Sequence, residues 1–301
     1  MSYQFSIDQT NRSLKFPVIL MAGIVCTVIA GCAFAACGDR TPDQARAGER
    51  VVTPPATSSV PVSNVSSETS TPRVISGPVT FELADSAYRD RRYDDAAALF
   101  KSYSESRPSN PWGFYMLGLS AWKSGDRVTA ESAFVQAITL DPTHVKSHLN
   151  LSRVLLETEQ ADSALAHIET AMQLDSTSSE PVRLQGRAFE ALGKTDDAIL
   201  SYQRAIQLDS TDVWALNNLG ALYIRLERFQ EAIEPLTVAV GINDKVAVFH
   251  NNLGMALERT GQYRAAEEEY RAAVGIEGTY GKAVTNLQRV QQLKEVPQQQ
   301  P

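Results

Sequence analysis

Few residues in this chain are of a type that could do covalent or metal chemistry, and their spacing is poor for it. Ser120 and Lys123 stand in the order Ser-x-x-Lys, which sets an amine base one helical turn from a hydroxyl nucleophile. Neither companion tripeptide of that arrangement, Ser-Asp-Asn or Lys-Thr-Gly, occurs in the 301 residues, so the pair is read as a chance match. The four histidines are His144, His148, His167 and His250, and neither His144 nor His167 has a second ligand at zinc spacing. No glycine-rich loop is set to cradle a phosphate. Cys26, Cys32 and Cys37 all lie in the first 37 residues, so the rest must fold without disulfides or thiolate metal sites. The sequence predicts no catalysis, no metal and no cofactor.

Amides and guanidiniums recur instead. Asn150, Asn217, Asn218, Asn251, Asn252 and Asn286 are placed so that several recur at one fixed interval along the chain. An amide donates and accepts at once, so a row of them can pair with a peptide main chain of any sequence. Lys146, Arg153, Arg183, Arg187, Arg225, Arg259, Lys282 and Arg289 form a locally basic stretch in a chain whose net charge is -7. That overall charge argues against nucleic acid as a partner. A basic stretch within an acidic chain fits a protein segment carrying carboxylates, which arginine can clamp with two bonds.

The element that must position these residues is visible in a repeat. NNLGALYIRLERFQEA at 217–232 is followed by NNLGMALERTGQYRAA at 251–266, an offset of 34. Stepping by that interval gives Ala96, Ala130, Ala164, Ala198, Ala232 and Ala266 without an insertion. Twelve residues before these stand Ala84, Gly118, Ser152, Gly186, Gly220 and Gly254, all small; four after stand Phe100, Phe134, Ile168, Tyr202, Leu236 and Tyr270, all bulky. Small and bulky positions three or four apart make apolar helical faces, and turns near Gly125, Gly193 and Gly261 divide each unit into two helices. The bulky side chains of one helix are expected to fill the gaps left by small residues on its partner. A one-residue slip would turn a helix by about 100°, which explains the strict interval.

This pattern resembles the tetratricopeptide repeat, and repeat two, WGFYMLGLSAWKSGDRVTAESAFVQAITLDP, is nearly a complete match. The resemblance implies an all-α, right-handed superhelical solenoid of six helical hairpins at 77–110, 111–144, 145–178, 179–212, 213–246 and 247–278. A capping helix at 279–296 and a frayed tail at 297–301 complete the chain. Gln185 departs from the usual leucine, Ser176 and Ser210 from the terminal proline, and Pro235 is expected to bend the second helix of repeat five. The resemblance also implies that the first helix of each hairpin lines a concave groove. That places Asn150, Arg153, Arg183, Arg187, Asn217, Asn218, Asn251, Asn252, Arg259 and Asn286 on or near it. Trp112, Tyr115, Trp122 and Trp214 become candidate hydrophobic anchors, since aromatic residues and arginine supply most binding hot spots. His148 and His250 share the repeat position of Phe114, Val182 and Leu216 and are expected to pack. The lysine and asparagine set of chaperone-binding relatives does not occur at the matching positions.

The first 37 residues concern targeting. Arg12 and Lys15 precede the uncharged run FPVILMAGIVCTVIAGCAFAAC, a membrane signal. Within it, Ile29-Ala30-Gly31-Cys32 resembles the lipobox of bacterial lipoproteins, which makes Cys32 the first candidate for lipidation; Cys37, after Phe34-Ala35-Ala36, is the second. The run is also long enough for a transmembrane helix, and simple cleaved secretion is the third alternative. Each places the body outside the cytoplasm. Residues 38–76, rich in Pro, Ser and Thr, are expected to be a disordered linker; Asn64-Val65-Ser66 within it fits the short glycosylation pattern and carries little weight. The expected function is a non-catalytic, membrane-tethered adaptor of the bacterial cell envelope that binds extended protein segments and no small-molecule substrate. The alternatives are an accessory subunit presenting substrate to a separate glycosyltransferase or cell-wall hydrolase, and a passive spacer.

Overall fold

The computed structural model describes residues 79–295. The apolar run at 16–37 with Cys32 and Cys37, the 38–76 linker and the 297–301 tail lie outside them. Among the described residues there are thirteen α-helices and no strand: α1 (Phe81–Arg89), α2 (Tyr93–Ser106), α3 (Pro111–Ser124), α4 (Arg127–Leu140), α5 (Val145–Glu157), α6 (Ala161–Leu174), α7 (Ser179–Ala191), α8 (Thr195–Leu208), α9 (Val213–Arg225), α10 (Phe229–Ile242), α11 (Ala247–Arg259), α12 (Tyr263–Ile276) and α13 (Gly281–Glu295). They pair as six hairpins stacked in sequence, with α13 against the last. None of these helices is long and apolar enough to cross a membrane.

Helix ends are specified locally. The Asn110 side chain accepts the Trp112 N–H at 3.0 Å with Pro111 at the first position of α3, and Asp126 and Asp212 cap α4 and α9 in the same way. Inside each hairpin the chain turns through a positive φ at one fixed register position: Arg91, Gly125, Glu159, Gly193, Glu227 and Gly261. The sequence showed only the three glycines; the other three turns hold the same conformation with ordinary side chains. Between hairpins, Asp141, Asp175 and Asp209 each accept the backbone N–H and hydroxyl of the threonine two positions on, at 2.7–3.1 Å. These bonds hold the three carboxyls below their ordinary range.

The core follows the small and bulky alternation. Phe100, Phe134, Ile168, Tyr202, Leu236 and Tyr270 are fully buried, as are the six alanines one helical turn before them. A Cβ added to Gly118, Gly186, Gly220 or Gly254 would come within 2.4–2.7 Å of Phe134, Tyr202, Leu236 or Tyr270 respectively. The glycines are therefore the sockets for these side chains. Pro235 does not end its helix: α10 runs on to Ile242 although the proline lacks the N–H that would bond the Glu231 carbonyl.

Two features of the stacking bear on the groove. Odd-numbered helices of successive hairpins touch directly, α3 with α5, α5 with α7, α9 with α11 and α11 with α13, whereas no two even-numbered helices pack to that extent. The odd-numbered helices thus lie on the inner side of the stack. As between α1 and α3, the packing is slighter between α7 and α9. The apolar core divides near the same point, one cluster running from Ala84 to Ala188 and another from Ala198 to Val290. Gln185, standing where most repeats have leucine, accepts the Ser201 hydroxyl at 3.4 Å there.

Candidate protein-docking groove

Along α9, α11 and α13 the asparagines form a chain of amides. Asn252 donates to the Asn217 carbonyl oxygen and Asn286 to that of Asn251, each at 2.9 Å. Asn217 and Asn251 are buried and bind one repeat to the next, whereas Asn252 and Asn286 are only half-buried. Asn251, Asn252 and Asn286 line a cleft of about 710 Å³ together with Val248, Met255 and Lys282. An amide has two N–H groups and two acceptor lone pairs. Asn286 spends one N–H on Asn251, and its carbonyl oxygen and second N–H have no partner among the described residues. The two other candidates differ. Asn150 is buried, donating to the Tyr115 hydroxyl at 3.4 Å and accepting from Arg153, and the Asn218 side chain meets the Tyr202 phenol.

Most of the expected basic groove is neutralised from within. Arg153 pairs with Glu180, Arg225 with Glu190, and Arg183 with Asp212 at 3.0 Å. Arg289 makes two bonds of 2.7 Å to Glu258, whose buried carboxylate also accepts the Tyr270 hydroxyl at 2.7 Å. Burial, and then the hydrogen bond to Glu258, push the Tyr270 phenol upward. Arg153 is lowered by burial and then by the neighbouring Arg183 and Arg187 charges. Arg259 lays its guanidinium 4.3 Å over the Phe229 ring. Arg187 is half-buried and makes no hydrogen bond or ion pair with a described residue.

The aromatic candidates separate into two groups. Tyr115 is buried, and the Trp122 indole donates to Glu157 at 3.1 Å. Trp112 and Trp214 remain 50% and 47% exposed, resting edge-on against His144 and Phe249, so each offers an open ring face.

Sequence reasoning missed the partners of two histidines. His148 and His250 are buried as expected, but each also bonds through both ring nitrogens. The His148 Nδ1 meets the His167 Nδ1 at 3.2 Å, and the His250 Nδ1 meets Glu269 at 2.7 Å. Both Nε2 atoms face a backbone carbonyl at 3.0 Å, of Pro142 and of Asp244. The two sites are three repeats apart and share one spacing from histidine to partner, a signal that the register could have exposed. The Ser120 hydroxyl donates to the Met116 carbonyl at 2.7 Å while the Lys123 ammonium lies over the Trp122 ring, so the two are not joined. Among the described residues no three His, Cys, Asp or Glu side chains converge as a metal site.

Four family models described as tetratricopeptide or TPR repeats match residues 79–111, 121–188, 186–227 and 247–280. No curated protein matches the chain. Among solved structures, the APC/C hetero-tetramer Cut9-Hcn1 aligns with a TM-score of 0.61 at 19% identity, over 71% of this chain and 43% of that one. This chain thus spans less than half of that relative. A tetratricopeptide repeat protein from Parabacteroides merdae gives 0.60 at 11% identity over 70% and 82%, and a thermophilic TPR protein of Thermus thermophilus gives 0.53 at 16% over 61% and 100%. At these identities the likeness is one of fold. The hairpins, the glycine sockets and the matched stretches coincide: the described body of this chain is an array of tetratricopeptide repeats.

Proposed function

We propose that this chain is a non-catalytic adaptor that docks extended segments of other proteins along its odd-numbered helices, and that an N-terminal lipid or helix holds it at a bacterial envelope membrane. The observation that carries the docking reading is the cleft where Asn252 and Asn286 hold unspent amide groups beside Val248 and Met255. Alternating polar and apolar walls suit an extended strand, whose backbone needs donors and acceptors and whose side chains need pockets. Support for the tether is the run at 16–37 with its candidate lipidation sites Cys32 and Cys37. Two or more acyl chains would anchor the protein stably, whereas one alone binds reversibly.

A phage-displayed random dodecapeptide library selected on the full chain tests docking. Enriched peptides should bind the chain, and Asn252→Ala with Asn286→Ala should weaken them at least tenfold. Failure to enrich any peptide, or equal binding by the double variant, would overturn the reading. Mass analysis of membrane-extracted protein for acylated Cys32 or Cys37 tests the tether.

A further inference from the structure

We infer that the step between α7 and α9 is a subsite for a partner's carboxylate side chain, with Arg187 as the residue that binds it and Trp214 as the platform for an apolar neighbour. This rests on the docking reading and assigns one position within it.

The argument is one of register. Arg153, Arg187 and Arg289 occupy the same repeat position, separated by whole repeats. Arg153 is satisfied from the next repeat by Glu180, and Arg289 from the preceding repeat by Glu258. The same forward and backward steps taken from Arg187 arrive at Trp214 and at Leu156, neither of which has an oxygen to accept a hydrogen bond. Arg187 is thus the one member of this set whose internal carboxylate has been replaced on both sides by an apolar side chain.

Its surroundings strengthen the need for an anion. Arg187 is half-buried, and its charge acts on Arg153 and on the Tyr202 phenol, so it sits among other groups and not out in bulk solvent. Arg183 bears on the same Arg153 and Tyr202 groups but is neutralised by Asp212 at 3.0 Å, and Glu190 is taken up by Arg225 and Tyr202. The local carboxylates are therefore spent on other cations, leaving one guanidinium uncompensated. Direct packing of α7 on α9 is slighter than that of α5 on α7 or α9 on α11, and side chains, Arg183 to Asp212 and Glu190 to Arg225, span the step instead. On α9, Trp214 stands 47% exposed at the register position that Glu180 holds one repeat earlier, the position reached by the arginine before it. A segment carrying Asp or Glu beside a leucine- or phenylalanine-like residue satisfies both. Arginine suits this role because its planar fork binds a carboxylate through two parallel bonds.

The experiment repeats the dodecapeptide selection on the full chain and on Arg187→Gln, with Arg204→Gln on the exposed face of α8 as control. The wild-type chain and the control should enrich peptides with Asp or Glu next to an apolar residue, and Arg187→Gln should lose that acidic preference. The best acidic peptide should bind Arg187→Gln at least tenfold more weakly, while its Asn or Gln counterpart binds both proteins alike. The thermal midpoint of Arg187→Gln should stay level or rise, because no internal partner is lost and repulsion with Arg153 is relieved. Peptides without acidic preference, or an acidic preference that survives Arg187→Gln, would overturn the subsite and leave docking standing. A library that yields no binder at all would overturn docking and the subsite with it.

Discussion

Leu236 fills the space that a side chain on Gly220 would need: a Cβ built there would lie 2.4 Å from the leucine Cγ. Leu236 is fully buried and has nowhere to retreat. Gly220→Ala should therefore strain the α9/α10 hairpin, costing about 1–3 kcal/mol by overpacking. The check is the urea midpoint. An unchanged midpoint would show that the hairpins are not packed in this register.

Glu227 turns its hairpin at φ 58° without the freedom of glycine. A left-handed conformation costs a residue with a Cβ about 1–2 kcal/mol, offset in part by the greater entropy of glycine in the unfolded chain. Glu227→Gly should raise the thermal midpoint, by an amount corresponding to at most about 1 kcal/mol. Gly193→Ala, at φ 71° in the preceding repeat, should lower it.

The register was legible because it is written in side-chain volume: an alanine, a small residue twelve positions before it on the partner helix and a bulky residue one turn after recur at every step, and packing requires all three. The Glu227 turn was not, since nothing in a glutamate side chain announces a positive φ, and only its alignment with Gly125, Gly193 and Gly261 could have done so. The groove was half legible. The repeat position placed the arginines and asparagines on inner helices, but one sequence does not tell a side chain spent on its neighbour from one left for a ligand. Asn217 and Asn251 differ from Asn218 and Asn252 by a single position, yet the first pair is buried between repeats. The carboxylates that neutralise Arg153, Arg183 and Arg289 lie on the next or preceding inner helix or at its N-cap, across helices whose rotation only the structure supplies.

The His148–His167 pair should make the third hairpin sensitive to acid. The His148 Nε2–H donates to the Pro142 carbonyl, so its Nδ1 is a lone pair that accepts the His167 Nδ1–H. Burial, and then any charge on His148, hold His167 below its ordinary value of 6.5; burial acts on His144 in the same direction. The fold thus favours the neutral forms of His167 and His144. As pH falls through the unfolded value, the unfolded chain takes up protons that the folded chain refuses, so stability drops toward the depressed folded value. The thermal midpoint should fall between about pH 7 and pH 5. His167→Asn, whose amide can still donate to His148, should flatten that slope; an equal slope in the variant would remove the pair as its source.

Glu258 fastens the last helix. It accepts two bonds from Arg289 on α13 and one from Tyr270 on α12, each at 2.7 Å. Glu258→Leu would release Arg289, which is half-exposed and can turn to water, and would leave the buried Tyr270 hydroxyl without its acceptor, at a cost of about 1–3 kcal/mol. Hydrogen exchange should quicken about tenfold along α13 and little along α3. Uniform quickening would mean that the stack, and not the cap alone, depends on this carboxylate.

The inner face is tested most directly by placing a photo-crosslinking amino acid at single positions of the full chain and adding a library-selected peptide. Thr285 lines the cleft between α11 and α13, and Leu200 stands 63% exposed on α8. Crosslinks to the peptide from position 285, absent from position 200, are the predicted result; crosslinks from 200 with none from 285 would contradict it.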